Sequence, residues 1–134
     1  MSSYKEEQIL TKFKEQRILS GSFETQVKVG FKLAEMIIQR TKPPFPEMVR
    51  KRIIRRIDAI CRQKDGIIWI LEVEGKLNPT ALGQVLIYGY LWKLDHPETS
   101  NRLKLGIVCA ESDIVIEKVC EKLGIKVFTV SPGS

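Results

Sequence analysis

The chain has 134 residues, of which 43% are hydrophobic and 28% are charged, and these proportions exclude a disordered, collagen-like or disulfide-rich protein. Its 22 Lys and Arg outnumber its 16 Asp and Glu, and the net charge of +6 favours an acidic partner, most commonly nucleic acid. No apolar run approaches the roughly 20 residues of a membrane helix, and the N-terminus has no signal-peptide core. We therefore expect a single cytoplasmic domain over residues 1–134 with no membrane partner.

The first part of the chain has helical spacing. Ile9, Leu10 and Phe13 recur among charged residues and predict an amphipathic helix over residues 4–18. A second helical pattern covers residues 23–38. Its apolar residues also alternate in part as a strand would, but we predict a helix there.

Three prolines within residues 41–46 predict a loop between this helical part and a sheet. Two β-rich segments follow, over residues 51–63 and 67–75. The connection, residues 64–66, contains Asp-Gly, which is a strong hairpin signal between such segments.

The C-terminal part predicts alternating helices and strands. Asn78 and Pro79 are typical of a helix start, as N-cap and first helical residue, and Pro97 marks the end of that helix. The elements predicted after it are a strand over residues 103–110, a helix from Ser112 to Lys122 and a strand over residues 125–130. The order of elements indicates an α/β domain with a mixed sheet.

Acidic side chains gather on the predicted hairpin. If residues 64–66 form a three-residue turn, Gln63 pairs with Ile67, and Asp58 lies opposite Glu72. A two-residue turn would shift the register by one and turn Asp58 to the other face of the sheet. The turn type therefore decides whether the two carboxylates meet.

Alternation along the second strand places Glu72, Glu74 and Lys76 on one face, about 7 Å apart from one to the next. Two carboxylates about 5 Å apart on a partly buried face repel by roughly 3 kcal/mol at an effective dielectric constant near 20. A divalent cation such as Mg²⁺ would offset this repulsion, because it takes oxygen ligands. The alternatives are Lys76, an arginine from the preceding basic run, or a salt-bridge network at the edge of the sheet.

Three short motifs in this order resemble one family. Arg-Ile-Asp at 56–58, Leu-Glu-Val-Glu at 71–74 and Ala-Leu-Gly-Gln-Val-Leu-Ile-Tyr at 81–88 are together similar to the PD-(D/E)XK nuclease superfamily, especially its RecB-like and archaeal endonuclease branches. The resemblance covers residues 23–88, with a strand-helix-strand completion through Val130. It implies a restriction endonuclease-like α/β core, a mixed β-sheet flanked by helices in the order αβββαβ.

The resemblance also implies roles for individual residues. It assigns Asp58 and Glu72 to a catalytic Mg²⁺ or Mn²⁺ ion, with the carbonyl of Val73 as a further ligand. Gln84 and Tyr88, one helical turn apart on the same face, resemble the glutamine and tyrosine that follow the core motif in the RecB-like branch.

Two other acidic residues fit the family pattern less directly. Glu24, near the start of the second predicted helix, resembles a helical glutamate that some members add; the alternative is a residue placed there by the helix dipole. Most members have lysine where this chain has Glu74, although some restriction enzymes carry glutamate there and remain active. A second alignment reads Glu74-Gly75-Lys76 as the motif, at a longer spacing from Asp58. We prefer the first alignment, in which Lys76 supplies the missing positive charge.

These residues predict a metal-dependent endo- or exodeoxyribonuclease. We expect Glu74 either to orient or deprotonate the attacking water or to hold a second metal ion, and Lys76 to stabilise charge in the transition state. No base-reading motif is visible, so we expect DNA binding with little sequence specificity. The basic side chains expected to contact the phosphates are Arg50, Lys51, Arg52, Arg55 and Arg56.

Two other functions remain open at this point. The same fold would serve a nuclease-like domain that binds nucleic acid without cleaving it, which Glu74 in place of lysine favours, or an assembly subunit. A homodimer is expected, since so small a domain covers little duplex and cutting both strands takes two sites.

Overall fold

The structure is a computed structural model that describes the backbone of residues 2–131 and the side chains of residues 6–131. None of the helices in this part of the chain is long and apolar enough to cross a membrane. The elements in chain order are α1 (Ser2–Glu15), β1 (Gly21–Val29), α2 (Phe31–Thr41), α3 (Pro46–Ile53), β2 (Arg55–Gln63), β3 (Ile68–Lys76), α4 (Pro79–Asp95), a 3₁₀ helix (Pro97–Arg102), β4 (Leu103–Glu111), α5 (Ile114–Lys122) and β5 (Ile125–Thr129).

The five strands form one mixed sheet whose spatial order is the chain order. β1, β2 and β3 are antiparallel neighbours, whereas β3, β4 and β5 run parallel. The parallel pairs are joined through α4 and α5, as parallel connections require a crossover. The predicted α/β class with a mixed sheet flanked by helices is confirmed.

Two hydrophobic clusters cover the two faces of the sheet. On one face, which we call the α1 face, Phe13 packs with Leu71 and Phe128. On the other, the α4 face, Val85 and Trp92 pack with residues of β2, β3, β4 and α5. Both faces of β3 are therefore buried, which explains its nearly continuous apolar run.

The hairpin between β2 and β3 has the predicted three-residue turn. The Gly66 N–H donates to the Gln63 carbonyl at 3.0 Å, and the Gln63 N–H donates to the Ile67 carbonyl at 2.9 Å. Gly66 has a φ of 91°, a left-handed conformation that favours glycine. The ladder runs in the register that pairs Ala59 with Leu71, as predicted.

The helix predicted over residues 23–38 is wrong in its first half. Residues up to Val29 form the edge strand β1, and the helix α2 begins only at Phe31. Gly30 separates them, with a φ of 109°. The alternation of Val27 and Val29 was the correct signal, because pairing with β2 outweighs the local helical spacing.

Two other boundaries differ from the prediction. Residues 51–53 belong to α3, so β2 begins later than predicted, at Arg55. The last helix is capped by Asp113 rather than Ser112, since the Asp113 carboxylate accepts from the N–H groups of the next turn. The Asn78 cap of α4 is confirmed: its side-chain oxygen accepts from the Ala81 N–H at 2.8 Å.

Gly30→Ala is expected to lower the free energy of unfolding by roughly 2–4 kcal/mol. An added Cβ would lie 2.9 Å from the Ile53 carbonyl oxygen, and the φ of 109° would be strained. Gly83→Ala is the matched control, because no atom lies within 4 Å of its added Cβ. In α4 it should raise stability by about 0.5–1 kcal/mol. Urea unfolding monitored by circular dichroism measures both, and equal effects of the two variants would contradict the packing at Gly30.

Candidate active site

Asp58 lies where β2 and β3 diverge. Backbone pairing between the two strands extends to Ala59 and Leu71. Beyond this pair, the Asp58 carboxylate replaces the backbone of β2 as the hydrogen-bond partner of β3. Its Oδ2 accepts a hydrogen bond from the Val73 backbone N–H at 2.8 Å. The N–H and C=O of one strand residue point to the same side, so the Val73 carbonyl also faces Asp58.

Glu72 is buried beside this carboxylate, with 3% of its surface exposed. Within the described part of the chain, its Oε1 atom has no hydrogen-bond partner. Burial, followed by the charge of the neighbouring Asp58 carboxylate, raises the pKa of Glu72 to about 9. The predicted meeting of Asp58 and Glu72 is thus present in the structure, at a high electrostatic cost.

A cavity of about 240 Å³ opens next to Asp58 on the α1 face. Helix α1 forms one wall of this cavity, and the strands β1, β2 and β3 form the other. The lining residues are Glu6, Glu7, Leu10, Thr25, Gln26, Asp58 and Val73.

Glu6 is an acidic residue of this site that the sequence reasoning missed. It is half-buried on α1, and its pKa is raised first by burial and then by the charges of Asp58 and Glu74. The sequence contained one signal, an acidic residue on a predicted helix, but nothing in it showed that α1 packs over the hairpin. It is Glu6 on α1, rather than Glu24, that places a helical carboxylate at this site.

Glu74 and Tyr88 lie near the Asp58–Glu72 pair. Glu74 is half-buried, and its charge contributes to the raised pKa of Glu72. Tyr88 on α4 is buried, and its pKa is raised by burial and by the charges of Glu72 and Asp58, so its hydroxyl stays protonated. Gln84 is half-buried one turn earlier on α4.

Two residues predicted for the site have other partners. Glu24 lies on β1, so its predicted helical position is wrong, and its Oε1 accepts from Arg62 Nε at 3.0 Å. Lys76 ends β3, where its Nζ lies 3.5 Å from Glu111 Oε2 on β4. In this position the Lys76 amine offsets the charge of Glu111 instead of that of the carboxylate pair.

The predicted basic residues divide into two groups. Arg50 on α3 is held by Glu35 and by Glu47, at 2.8 Å from Glu35 Oε2. Arg55 donates to backbone carbonyls at the end of α3 and lies close enough to Tyr88 to oppose the rise of its pKa. The exposed cations without these contacts are Lys51, Arg52 and Arg56.

The donor set fits a hard divalent cation that keeps most of its waters. No three His, Cys, Asp or Glu side chains among the described residues come together as a metal cage. Mg²⁺ needs no such cage, because one or two carboxylates suffice beside its waters. The unpartnered buried oxygen of Glu72, next to Asp58 and the Val73 carbonyl, is the feature that a cation would stabilise.

Comparison with known proteins finds similarity in structure but not in sequence. No family model matches the chain, and no curated protein matches it. An EndoMS–dsDNA2 complex has a TM-score of 0.51 and 19% identity over 86% of this chain and 50% of that one. A repair endonuclease from Pyrococcus abyssi has a TM-score of 0.49 and 17% identity over 81% of this chain and 50% of that one. EndoMS in its apo form has a TM-score of 0.49 and 19% identity over 57% of this chain and 32% of that one.

This chain thus spans half or less of the length of these structures. At 19% identity, the similarity to the EndoMS–dsDNA2 complex shows an endonuclease-like fold and no more.

The raised pKa of Glu72 predicts a stability that falls with pH. The folded-state pKa is about 9 and the ordinary value is 4.5, so the folded state binds the extra proton between these limits. The free energy of unfolding should therefore decrease from about pH 4.5 to pH 9, by at most about 1.4 kcal/mol per pH unit from this group. Glu72→Gln keeps the shape of the protonated side chain and should flatten this decrease. Urea unfolding at a series of pH values measures both proteins, and parallel curves would refute the assignment.

Proposed function

We propose that the protein is a metal-dependent nuclease of the PD-(D/E)XK type that hydrolyses DNA phosphodiester bonds with little sequence specificity. One observation carries the proposal. A buried carboxylate oxygen without a partner, on Glu72, lies beside a second carboxylate at the rim of an open cavity. Such a pair is unfavourable in the protein alone and becomes favourable when a cation binds.

Asp58, Glu72 and the Val73 carbonyl would hold Mg²⁺ or Mn²⁺. When bound, the cation would neutralise a phosphate oxygen and lower the pKa of water. Asp58 is preorganised for this task, because its hydrogen bond from Val73 fixes the carboxylate. The neutral Tyr88 side chain is buried in the cluster on the α4 face, the side of the sheet opposite to the cavity.

Glu74 is the side chain we assign to the attacking water. It is half-buried, close enough to influence Glu72, and its Oε1 lies 3.3 Å from the Gly75 N–H, a long contact that leaves most of its hydrogen-bonding capacity free. A carboxylate in this place accepts a proton from water as a general base. We assign to Gln84, half-buried on α4, the role of a hydrogen-bonding side chain near the cation. Lys76 would stabilise charge in the transition state only after its ion pair with Glu111 breaks. This ion pair is exposed and therefore weak.

The similarity to the EndoMS–dsDNA2 complex supports DNA as the substrate. The exposed cations that precede Asp58 along the chain support it as well, since basic side chains bind the phosphate backbone without reading bases. The predicted homodimer is part of this proposal and is checked by light scattering in solution.

Asp58→Asn and Glu72→Gln should each lower DNA cleavage at least about 100-fold, because each removes a charge that binds the cation. The control is Glu121→Gln, an exposed carboxylate on α5 that pairs with Lys118. Cleavage of single-stranded, duplex and branched DNA with Mg²⁺ and Mn²⁺ is the measurement. Activity that survives both substitutions would refute this site. DNA binding without cleavage by the unaltered protein would instead favour the nuclease-like binding domain, for which Glu74 in place of lysine is the motivating feature.

The exposed basic side chains of α3 predict how DNA affinity changes with salt concentration. Replacing Lys51 and Arg52 with alanine should weaken DNA binding equally for all sequences. It should also reduce the slope of log affinity against log salt by about 1 for each phosphate that the protein no longer neutralises. Lys118→Ala on α5 is the control, since it removes one exposed charge far along the chain from Asp58. Fluorescence anisotropy in Ca²⁺ measures the slopes, and an equal decrease in both variants would contradict a binding surface on α3.

A further inference from the structure

The edge strand β1 is distorted at the residue that faces Asp58. Gln26 has a φ of 54°, in the left-handed region of the backbone map. The β1–β2 ladder keeps its register before and after this residue, so Gln26 lies directly across from Asp58. A glutamine in this conformation costs stability, and such residues concentrate at functional sites.

The distortion changes which face of the sheet the odd-numbered residues of β1 point to. Phe23 packs with the cluster on the α1 face, whereas Val27 and Val29 pack on the α4 face. In a regular strand these odd-numbered residues would share one face. β2 reverses at the same place, since Ile57 packs on the α4 face and Ala59 on the α1 face. Both strands therefore change the direction of their side chains at the same level, at Gln26 in β1 and at Asp58 in β2.

As a result, two consecutive residues of β1, Thr25 and Gln26, line the cavity beside Asp58. Regular alternation would send one of them to the other face. The carboxamide of Gln26 carries two N–H donors, whereas the carboxylates of Glu6 and Asp58, once ionised, only accept hydrogen bonds. A phosphodiester also only accepts hydrogen bonds, so a strand entering this cavity needs donors from the protein.

We propose that Gln26 is a substrate-contact residue whose carboxamide N–H donates to a phosphate oxygen of the nucleic-acid strand beside the Asp58–Glu72 pair. The strained backbone at Gln26 is retained because it holds the carboxamide in the cavity. This inference rests on the proposed nuclease function and adds a contact to the same site. It predicts opposite changes in stability and activity, since relieving the strain should stabilise the fold and impair the reaction.

The test compares Gln26→Gly with Gln26→Glu. Gln26→Gly relieves the strain and removes the carboxamide, so Tm should rise by about 2–5 °C. Cleavage of a labelled DNA duplex with Mg²⁺ should fall at least about 10-fold in kcat/KM, the decrease expected for one hydrogen bond to a charged group. Gln26→Glu keeps the length of the side chain and the backbone cost. Its Tm should stay near that of the unaltered protein, while kcat/KM falls at least as far, because an anion then faces the phosphate.

Lys42→Gly is the control for strain. Lys42 also has a positive φ, 46°, and it ends α2 outside the cavity. Its replacement should raise Tm in the same way and leave kcat on saturating duplex unchanged.

The outcomes separate the two proposals. An active protein whose Gln26→Gly and Gln26→Glu variants both cleave at the unaltered rate overturns the contact and leaves the nuclease function standing. A Gln26→Gly variant without a gain in Tm overturns the role of strain. An unaltered protein that neither binds nor cleaves DNA refutes the nuclease function and the contact with it.

Discussion

The candidate active site depends on two carboxyl groups, the buried Glu72 and the half-buried Asp58, that meet where β2 and β3 separate. Glu72 is almost inaccessible, and the charge of Asp58 adds to the cost of ionising it. The β2–β3 register brings the two together, and the three-residue turn at Gly66 determines that register. A shift of one residue would separate them, because each strand position faces the side opposite to its neighbours. The electrostatic cost is therefore a direct consequence of the hairpin.

The helices on the two faces give this pair its surroundings. Helix α4 places the buried Tyr88 near Glu72, while α1 brings Glu6 to the cavity on the other face. The buried carboxyl group of Glu72 and the half-buried ones of Glu6, Asp58 and Glu74 thus lie near one another in a chain whose net charge is +6. The cations of α3, Lys51 and Arg52, lie on the exposed surface. Under the proposed function, this separation of charges would attract a polyanion to the surface and a cation to the carboxyl groups.

Three departures from the sequence predictions share a physical cause. Residues 23–29 carry both a helical and a strand pattern, and only their pairing with β2 decides for the strand. That pairing also places Glu24 on the edge strand, where it forms an ion pair with Arg62. Lys76 follows the same rule, because its partner Glu111 comes from β4, a strand far along the chain. Local sequence cannot specify these contacts, whose two members lie 26 or more residues apart.

The sequence by itself determined the hairpin and the α4 cap, because turns and caps depend on residues that are close along the chain. It left two turn types open, and the structure decided for the three-residue turn that brings Asp58 and Glu72 together. The sequence also indicated the mixed sheet, through the order of its elements. Only the tertiary structure decided that Glu6 enters the site, that Arg50 is held by Glu35, and that β1 is distorted at Gln26. These features arise from the packing of α1 over the sheet, of α3 against α2 and of β1 along β2. Packing between distant segments follows from the shape and burial of the whole core, which no local pattern encodes.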